Sequence, residues 1–244
     1  MQLPLVVRAL NDSFDKGELS STQKEGVITC IPKGDKPREY IKNWRPISLL
    51  NTVFKIGTGC IASRLKQFLT FLISEDQSGF VSGRYMGDNI RLIYDMIFHL
   101  NKENGKGLLL CIDFEKAFDS LSWKFLFKVL EVFGFGPNIQ RWIEVFLKNI
   151  KSTVIVNGTA TPWFKIERVC RQGDPLSPYL FILCVEILGI MIRENNEIKG
   201  IVIDQIEHKI LQFADDTQMM NGGDAKSFEE TINTVEKFGR KSGL

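Results

Sequence analysis

The chain has 244 residues, with 31 lysines and arginines against 29 aspartates and glutamates, and is 44% hydrophobic and 25% charged. These values suit one large domain or two small ones with a real core, and they exclude a disordered chain. The net charge of +2 neither demands nor excludes a nucleic-acid partner, so any basic track must be local.

Pro4 to Phe14 reads as a short helix. Gly26 to Pro32 (GVITCIP) is rich in β-branched residues and reads as a strand. A polar loop runs from Lys33 to Asn43. Asn51 to Ile73 has helical apolar spacing through Val53, Ile56, Ile61, Leu65, Phe68 and Leu72, with Asn51 as its cap. Gly79 to Gly87 is a glycine-punctuated loop, after which Asp88 caps a helix to about Leu100. Gly107 to Asp113 (GLLLCID) is a near-continuous apolar run ending in a carboxylate, the pattern of a central strand buried on both faces. Helices are expected over Ser122 to Phe133 and Pro137 to Ile150. Ser152 to Val156 and Trp163 to Val169 suggest a strand pair around Asn157-Gly158. Pro175 to Asn195 reads as a long helix. Gly200 to Asp204 and Lys209 to Phe213 read as strands, with Thr217 to Met220 returning antiparallel after Ala214-Asp215-Asp216. Ser227, with Glu230 three residues on, caps a final amphipathic helix to Lys241. No repeat or linker interrupts the chain, and the pattern is α+β, a small sheet backed by helices.

Cys30, Cys60, Cys111, Cys170 and Cys184 are odd in number and form no C-x-x-C or Cys/His cluster. That argues against a zinc site and for a reduced, intracellular setting. The first residues carry no secretory leader. The longest apolar stretch, Tyr179 to Ile192, is broken by Glu186, so a buried helix explains it better than a membrane span. His99 and His208 have no partner at metal spacing and read as structural.

Asp113 ends one greasy strand, and Asp215 with Asp216 ends another (ILQFADD). Carboxylates beside apolar strands are costly, and adjacent aspartates repel; a divalent cation relieves both. Hard oxygen ligands suit Mg²⁺, and a pair of such ions about 3.5–4 Å apart serves phosphoryl transfer. Asp-Asp alone reads better as a polar hairpin turn, and only with Asp113 and its surroundings does the cation-binding reading prevail.

The surrounding runs are more specific. GVITCIPK (Gly26 to Lys33), NWRPISLLN (Asn43 to Asn51), QSGFVSGR (Gln77 to Arg84), CIDFEKAFDS (Cys111 to Ser120), RQGDPLSPYLF (Arg171 to Phe181) and FADD (Phe213 to Asp216) occur in one order along essentially the whole chain. In these motifs the chain resembles the reverse transcriptase of a non-LTR retrotransposon, of the long interspersed nuclear element type. A mobile-intron maturase shares the chemistry but fits FEKAFDS and NWRPISLLN less well.

The resemblance implies a right-hand polymerase fold, with fingers over 1–105 and palm over 106–244, interleaved with fingers elements. It implies an RNA-directed DNA polymerase acting on an RNA template, a DNA primer and deoxynucleoside triphosphates, with no membrane partner. Asp113, Asp215 and Asp216 would hold two Mg²⁺ ions, which Mn²⁺ can replace, with the Phe114 carbonyl as a further ligand. Phe118, five residues after Asp113, would exclude a 2′-hydroxyl; without the resemblance it reads as core. Arg45, then Lys33, would meet the triphosphate. Gln172 and Gly173 would line the nucleotide and template pocket, and Arg84 would touch a nucleic-acid phosphate. The parent element would work in cytoplasm and nucleus. Against the family pattern the chain lacks a further palm strand with its lysine, a thumb and an endonuclease, and Met1 opens partway through the expected reading frame. It is therefore expected to be a fragment, with a catalytically silent remnant or a co-opted RNA-binding module as the alternative.

Overall fold

A computed structural model describes residues 3–114, 116–168 and 171–244. Cys170, and Val169 at the end of an expected strand, lie outside the described residues. In chain order the elements begin α1 (Leu3–Lys16), α2 (Ser21–Lys24), β1 (Glu25–Pro32), a 3-10 turn (Ile41–Asn43), β2 (Trp44–Leu50), α3 (Thr52–Lys66), α4 (Leu69–Leu72) and α5 (Met86–Lys102). They continue with β3 (Leu108–Ile112), α6 (Ala117–Ser120), α7 (Trp123–Val132), α8 (Pro137–Leu147), β4 (Lys151–Val156), β5 (Thr159–Ala160) and β6 (Phe164–Lys165). The last are α9 (Ser177–Arg193), β7 (Ile201–Ile203), β8 (Ile206–His208), β9 (Ile210–Phe213), β10 (Asp216–Asn221) and α10 (Ala225–Ser242).

The chain divides into two compact units, 1–64 with 130–177 and 65–129 with 178–244. It crosses between them inside α3, inside α7 and at the start of α9.

The first unit is built on a sheet ordered β2-β1-β4-β5, with β6 also on β4. β1 pairs antiparallel with β2 and parallel with β4, from Glu25↔Lys151 to Thr29↔Ile155. β2 was not legible as a strand, because WRPISLL does not alternate and contains Pro46. It lies at the sheet edge, where a missing backbone donor is tolerated. Asn157 and Gly158 are both left-handed, at φ 49° and 79°, and reverse the chain between β4 and β5. The strands after this turn are much shorter than expected. Aromatic rings tie the helices together. Phe14 packs on Trp142 (4.7 Å), Trp142 stacks on Phe146 (5.6 Å), and Phe146 meets Phe54 edge-on (5.4 Å). A β-carbon at Gly57 would stand 2.7 Å from the Phe146 ring, so only glycine lets α3 approach so closely. Asn51 caps α3 as expected, its Oδ1 accepting from Val53 N–H (2.8 Å). The expected single helix to Ile73 is broken after Lys66.

The second unit holds a small antiparallel sheet, β3-β10-β9, and the hairpin β7-β8. β3 corrects an expectation. Among the described residues it is an edge strand whose one partner is β10, and Leu108, Leu109 and Cys111 are exposed. Its apolar run therefore does not mark two-sided burial. One face of α5 places Met96 among Ile201, Leu211 and Met220. This helix starts two residues before Asp88, which sits in its first turn. Leu180 to Val185 of α9 are buried throughout, and no described helix is long and apolar enough to cross a membrane. Burial at about 1.5–3 kcal/mol per large apolar side chain makes α9 a main anchor of this unit. Phe238 docks α10 against Phe125 (5.7 Å) and Phe114 (6.3 Å). The α10 cap is Asp224, whose Oδ1 accepts from Ser227 N–H (2.9 Å). Ser227 instead accepts from Lys199 N–H (2.7 Å) and Asn221 Nδ2 (2.7 Å), so its hydroxyl serves tertiary contacts.

Candidate active site

Strand register brings the three aspartates to one end of the small sheet. Ile112 of β3 pairs with Thr217 of β10, so Asp113 and Asp216, one residue further out, leave the same end. Asp216 also pairs with Phe213, closing β9 and β10 over a two-residue turn, Ala214-Asp215. Ala214 is left-handed there at φ 56°, a conformation a residue with a β-carbon adopts only at some cost. Asp113 and Asp216 are exposed and Asp215 is half-buried. Burial holds the Asp215 carboxyl above the usual carboxylate range. The negative charges of Asp216 and Asp113 push it the same way, against a hydrogen bond from its own backbone N–H. Three carboxylates that repel one another at a sheet end are a donor set suited to a hard divalent cation. Among the described residues, no three acidic, histidine or cysteine side chains already form a closed metal-binding cluster. What the backbone supplies is their common location. Asp113 and Phe114 also line an open groove of about 650 Å³ with Val235, Gly239 and Arg240.

Phe118, in the one-turn helix α6, is only partly buried. Its ring stacks on that of Phe181. The side chain is thus neither free nor sealed in the core, a disposition that suits a steric wall.

Arg84 departs from the expected phosphate contact. Its Nη1 donates to the carbonyls of Ser74 and Gln77, and its Nη2 donates to that of Ile73 (2.8 Å). Both terminal nitrogens therefore hold the loop before α5. Gln77 is fully buried and hydrogen-bonded to the backbone of Ala214. Sequence reasoning picked out this segment for nucleic acid and missed its internal role.

In the first unit, Arg45 stands opposite Ile31, and Lys33 N–H donates to Asn43 O (2.7 Å) beyond the end of β1. Alternation therefore puts Arg45 and Lys33 on one face of the hairpin. Trp44 Nε1 donates to Arg38 O (2.9 Å) and shapes the loop between them. Gln172 accepts from Ser48 N–H through its carbonyl (2.9 Å). Gly173, at φ 111°, lies so close to β2 that a β-carbon would stand 2.6 Å from Ser48 O. Asp174 then opens α9, accepting from Leu176 N–H (3.2 Å) and from the Ser177 hydroxyl (2.9 Å). Arg171 was not singled out from the sequence. It is buried with its guanidinium 4.5 Å from the Phe54 ring centre. That burial pushes its pKa down to about 10, against the pull of Asp174.

The profile of the family described as "Reverse transcriptase (RNA-dependent DNA polymerase)" matches residues 31–244. The chain is 35% identical over 212 residues to the transposon TX1 uncharacterized 149 kDa protein of Xenopus laevis, covering 86% of this chain and 16% of that protein. It is 28% identical over 218 residues to the retrovirus-related Pol polyprotein from type-1 retrotransposable element R2 of Popillia japonica, covering 88% of this chain and 30% of that one. The chain thus spans less than a third of either relative. Solved structures of telomerase from Candida albicans and Candida tropicalis superpose on 99% of the chain. Their TM-scores are 0.61 and 0.66 at 13% and 11% identity, a likeness of fold alone. The α+β architecture is therefore the polymerase fold, and the chain belongs to the reverse transcriptase (RNA-dependent DNA polymerase) family.

Proposed function

We propose that the chain is the polymerase region of a non-LTR retrotransposon protein, adding deoxynucleotides to a primer 3′-hydroxyl on an RNA template. The observation that carries this reading is the convergence of Asp113, Asp215 and Asp216 at one end of the small sheet. Relatives named for the elements TX1 and R2 support the retrotransposon setting. In this reading the second unit is the palm and the first contributes fingers.

Asp113 and Asp215 would hold two Mg²⁺ ions, or Mn²⁺ in their place, with Asp216 and the Phe114 carbonyl assisting. Such ions, when bound, make the 3′-hydroxyl more acidic and neutralise charge on the triphosphate. The chain's own residues do the positioning. Arg45 offers a planar fork to phosphate oxygens, and Lys33 adds a point charge on the same hairpin face. Gln172 and Gly173 bring backbone close to the base pair being formed. Phe118 meets the sugar at C2′ and leaves no room for a hydroxyl. In this reading the parent element works in cytoplasm and nucleus.

The test is primer extension on an RNA template with Mg²⁺ and deoxynucleotides. It compares the chain with a chimera continued through the palm end and thumb of a related element's protein. Extension that Asp215→Asn abolishes supports the polymerase. Folded proteins that bind RNA tightly and extend nothing would instead make the chain a silent binding module.

A further inference from the structure

Gln77 lies 137 residues from Ala214, yet its side chain closes a two-point clamp on that residue. Its Oε1 accepts from Ala214 N–H at 2.8 Å, and its Nε2 donates to Ala214 O at 3.3 Å. The same Oε1 accepts from Gly79 N–H at 2.8 Å, so the amide is itself held in place. Gln77 is fully buried, and its neighbours extend the grip. Ser78 N–H donates to Gln212 O (2.9 Å), and Gln212 N–H donates to Asp76 O (2.7 Å). Residues 76–78 thus run beside β9 as a one-bridge parallel strand. Asn89 Nδ2 reaches Gln212 O as well (3.0 Å). The far side is anchored by Arg193 of α9, which binds Asp76 (2.8 Å) and the buried Glu186. Gly79 completes the fit, since a β-carbon there would stand 2.3 Å from Ala214 N.

Ala214 needs such a clamp. A β-bearing residue held at φ 56° is strained and persists only where its surroundings over-determine it. A turn free to leave that conformation would re-aim the two residues after it, Asp215 and Asp216. We propose that Gln77 is a positioning residue for nucleotide addition, locking Ala214 in the left-handed conformation that aims the Asp215-Asp216 pair. The inference rests on the reading of those carboxylates as the cation-binding pair. Gly79 belongs to the same device, by leaving room for the contact.

The test uses the full chain in two measurements and the chimera in a third. Amide hydrogen exchange reads Ala214 without any metal. Mn²⁺ titration followed by electron paramagnetic resonance reads the carboxylates. Primer extension by the chimera described above separates kcat from KM. Gln77→Met should expose the Ala214 amide to exchange, weaken Mn²⁺ binding about 10-fold to 100-fold, and lower kcat to a similar degree with little change in the deoxynucleotide KM. Adding Ala214→Gly should recover most of the Mn²⁺ affinity and kcat, because glycine takes φ 56° without help. A purely structural role for Gln77 would not be rescued this way. Should Gln77→Met not fold, Gly79→Ala gives a second reading. It pushes a methyl group against Ala214 N and, at 2.9 Å, against Gln77 Oε1, disturbing the clamp without replacing the amide, and the same losses are expected. Asp215→Asn separates the two layers. If it leaves Mn²⁺ binding and extension unchanged, the carboxylate reading fails and the positioning role with it. If it abolishes both while folded Gln77→Met or Gly79→Ala proteins match the wild type, the positioning role alone is overturned.

Discussion

The Phe118 ring lies on that of Phe181, with centroids 4.4 Å apart and planes 27° from parallel. Phe181 is fully buried in α9, so the partly exposed ring of Phe118 is braced from behind by the core. Such stacking contributes about 0.5–1.5 kcal/mol beyond burial. Phe118→Val should therefore raise ribonucleotide incorporation roughly 10-fold or more in the polymerase assay. Phe181→Leu should raise it less, by loosening the wall without removing it. Unchanged sugar selection in both variants would return Phe118 to a packing role.

The raised carboxyl of Asp215 predicts a trade between stability and activity. A group whose folded pKa lies above its unfolded value costs stability once ionised. Burial is the main cause at Asp215, and Asp216 and Asp113 add to it. Asp215→Asn should thus melt slightly higher than the wild type near neutral pH, while losing more than about 100-fold in extension rate. A melting temperature that falls instead would mean that the ionised carboxylate stabilises the fold.

Glu186 gives a pH dependence. Burial holds its carboxyl above 4.5, opposed by the charge and hydrogen bond of Arg193. The folded chain therefore binds this proton more tightly than the unfolded one. Its contribution to stability is largest below the unfolded value and declines as pH rises through the folded pKa. Urea unfolding from pH 4.5 upward should show the wild type losing stability relative to Glu186→Gln across that window. A constant difference between the two proteins would put the titration elsewhere.

Gly173→Ala tests the close approach at β2. The new methyl group would meet Ser48 O at 2.6 Å in a backbone conformation, φ 111°, that only glycine adopts readily. The expected cost is about 1–3 kcal/mol. Calorimetry should show the lower melting point, and the deoxynucleotide KM should rise as the Gln172-Gly173 segment shifts. Full stability in the variant would show that the loop relaxes freely.

The sequence by itself determined the elements whose cause is local. Helical spacing marked α1, α8 and α9, Asn51 announced its own cap, and Asn157-Gly158 announced its turn. The FADD run and the CID run marked the aspartates, because a carboxylate closing an apolar strand is conspicuous without any structure. Tertiary pairing decided the rest. β2 carries a proline and no alternation, so only its partner β1 makes it a strand. β1 finds β4 in parallel across more than a hundred residues, and β3 lies at an edge that its greasy run concealed. Arg84 holds loop carbonyls, and Gln77 grips Ala214, for the same reason. A buried donor must find an acceptor wherever the fold offers one, and no residue spacing encodes a partner 137 positions away.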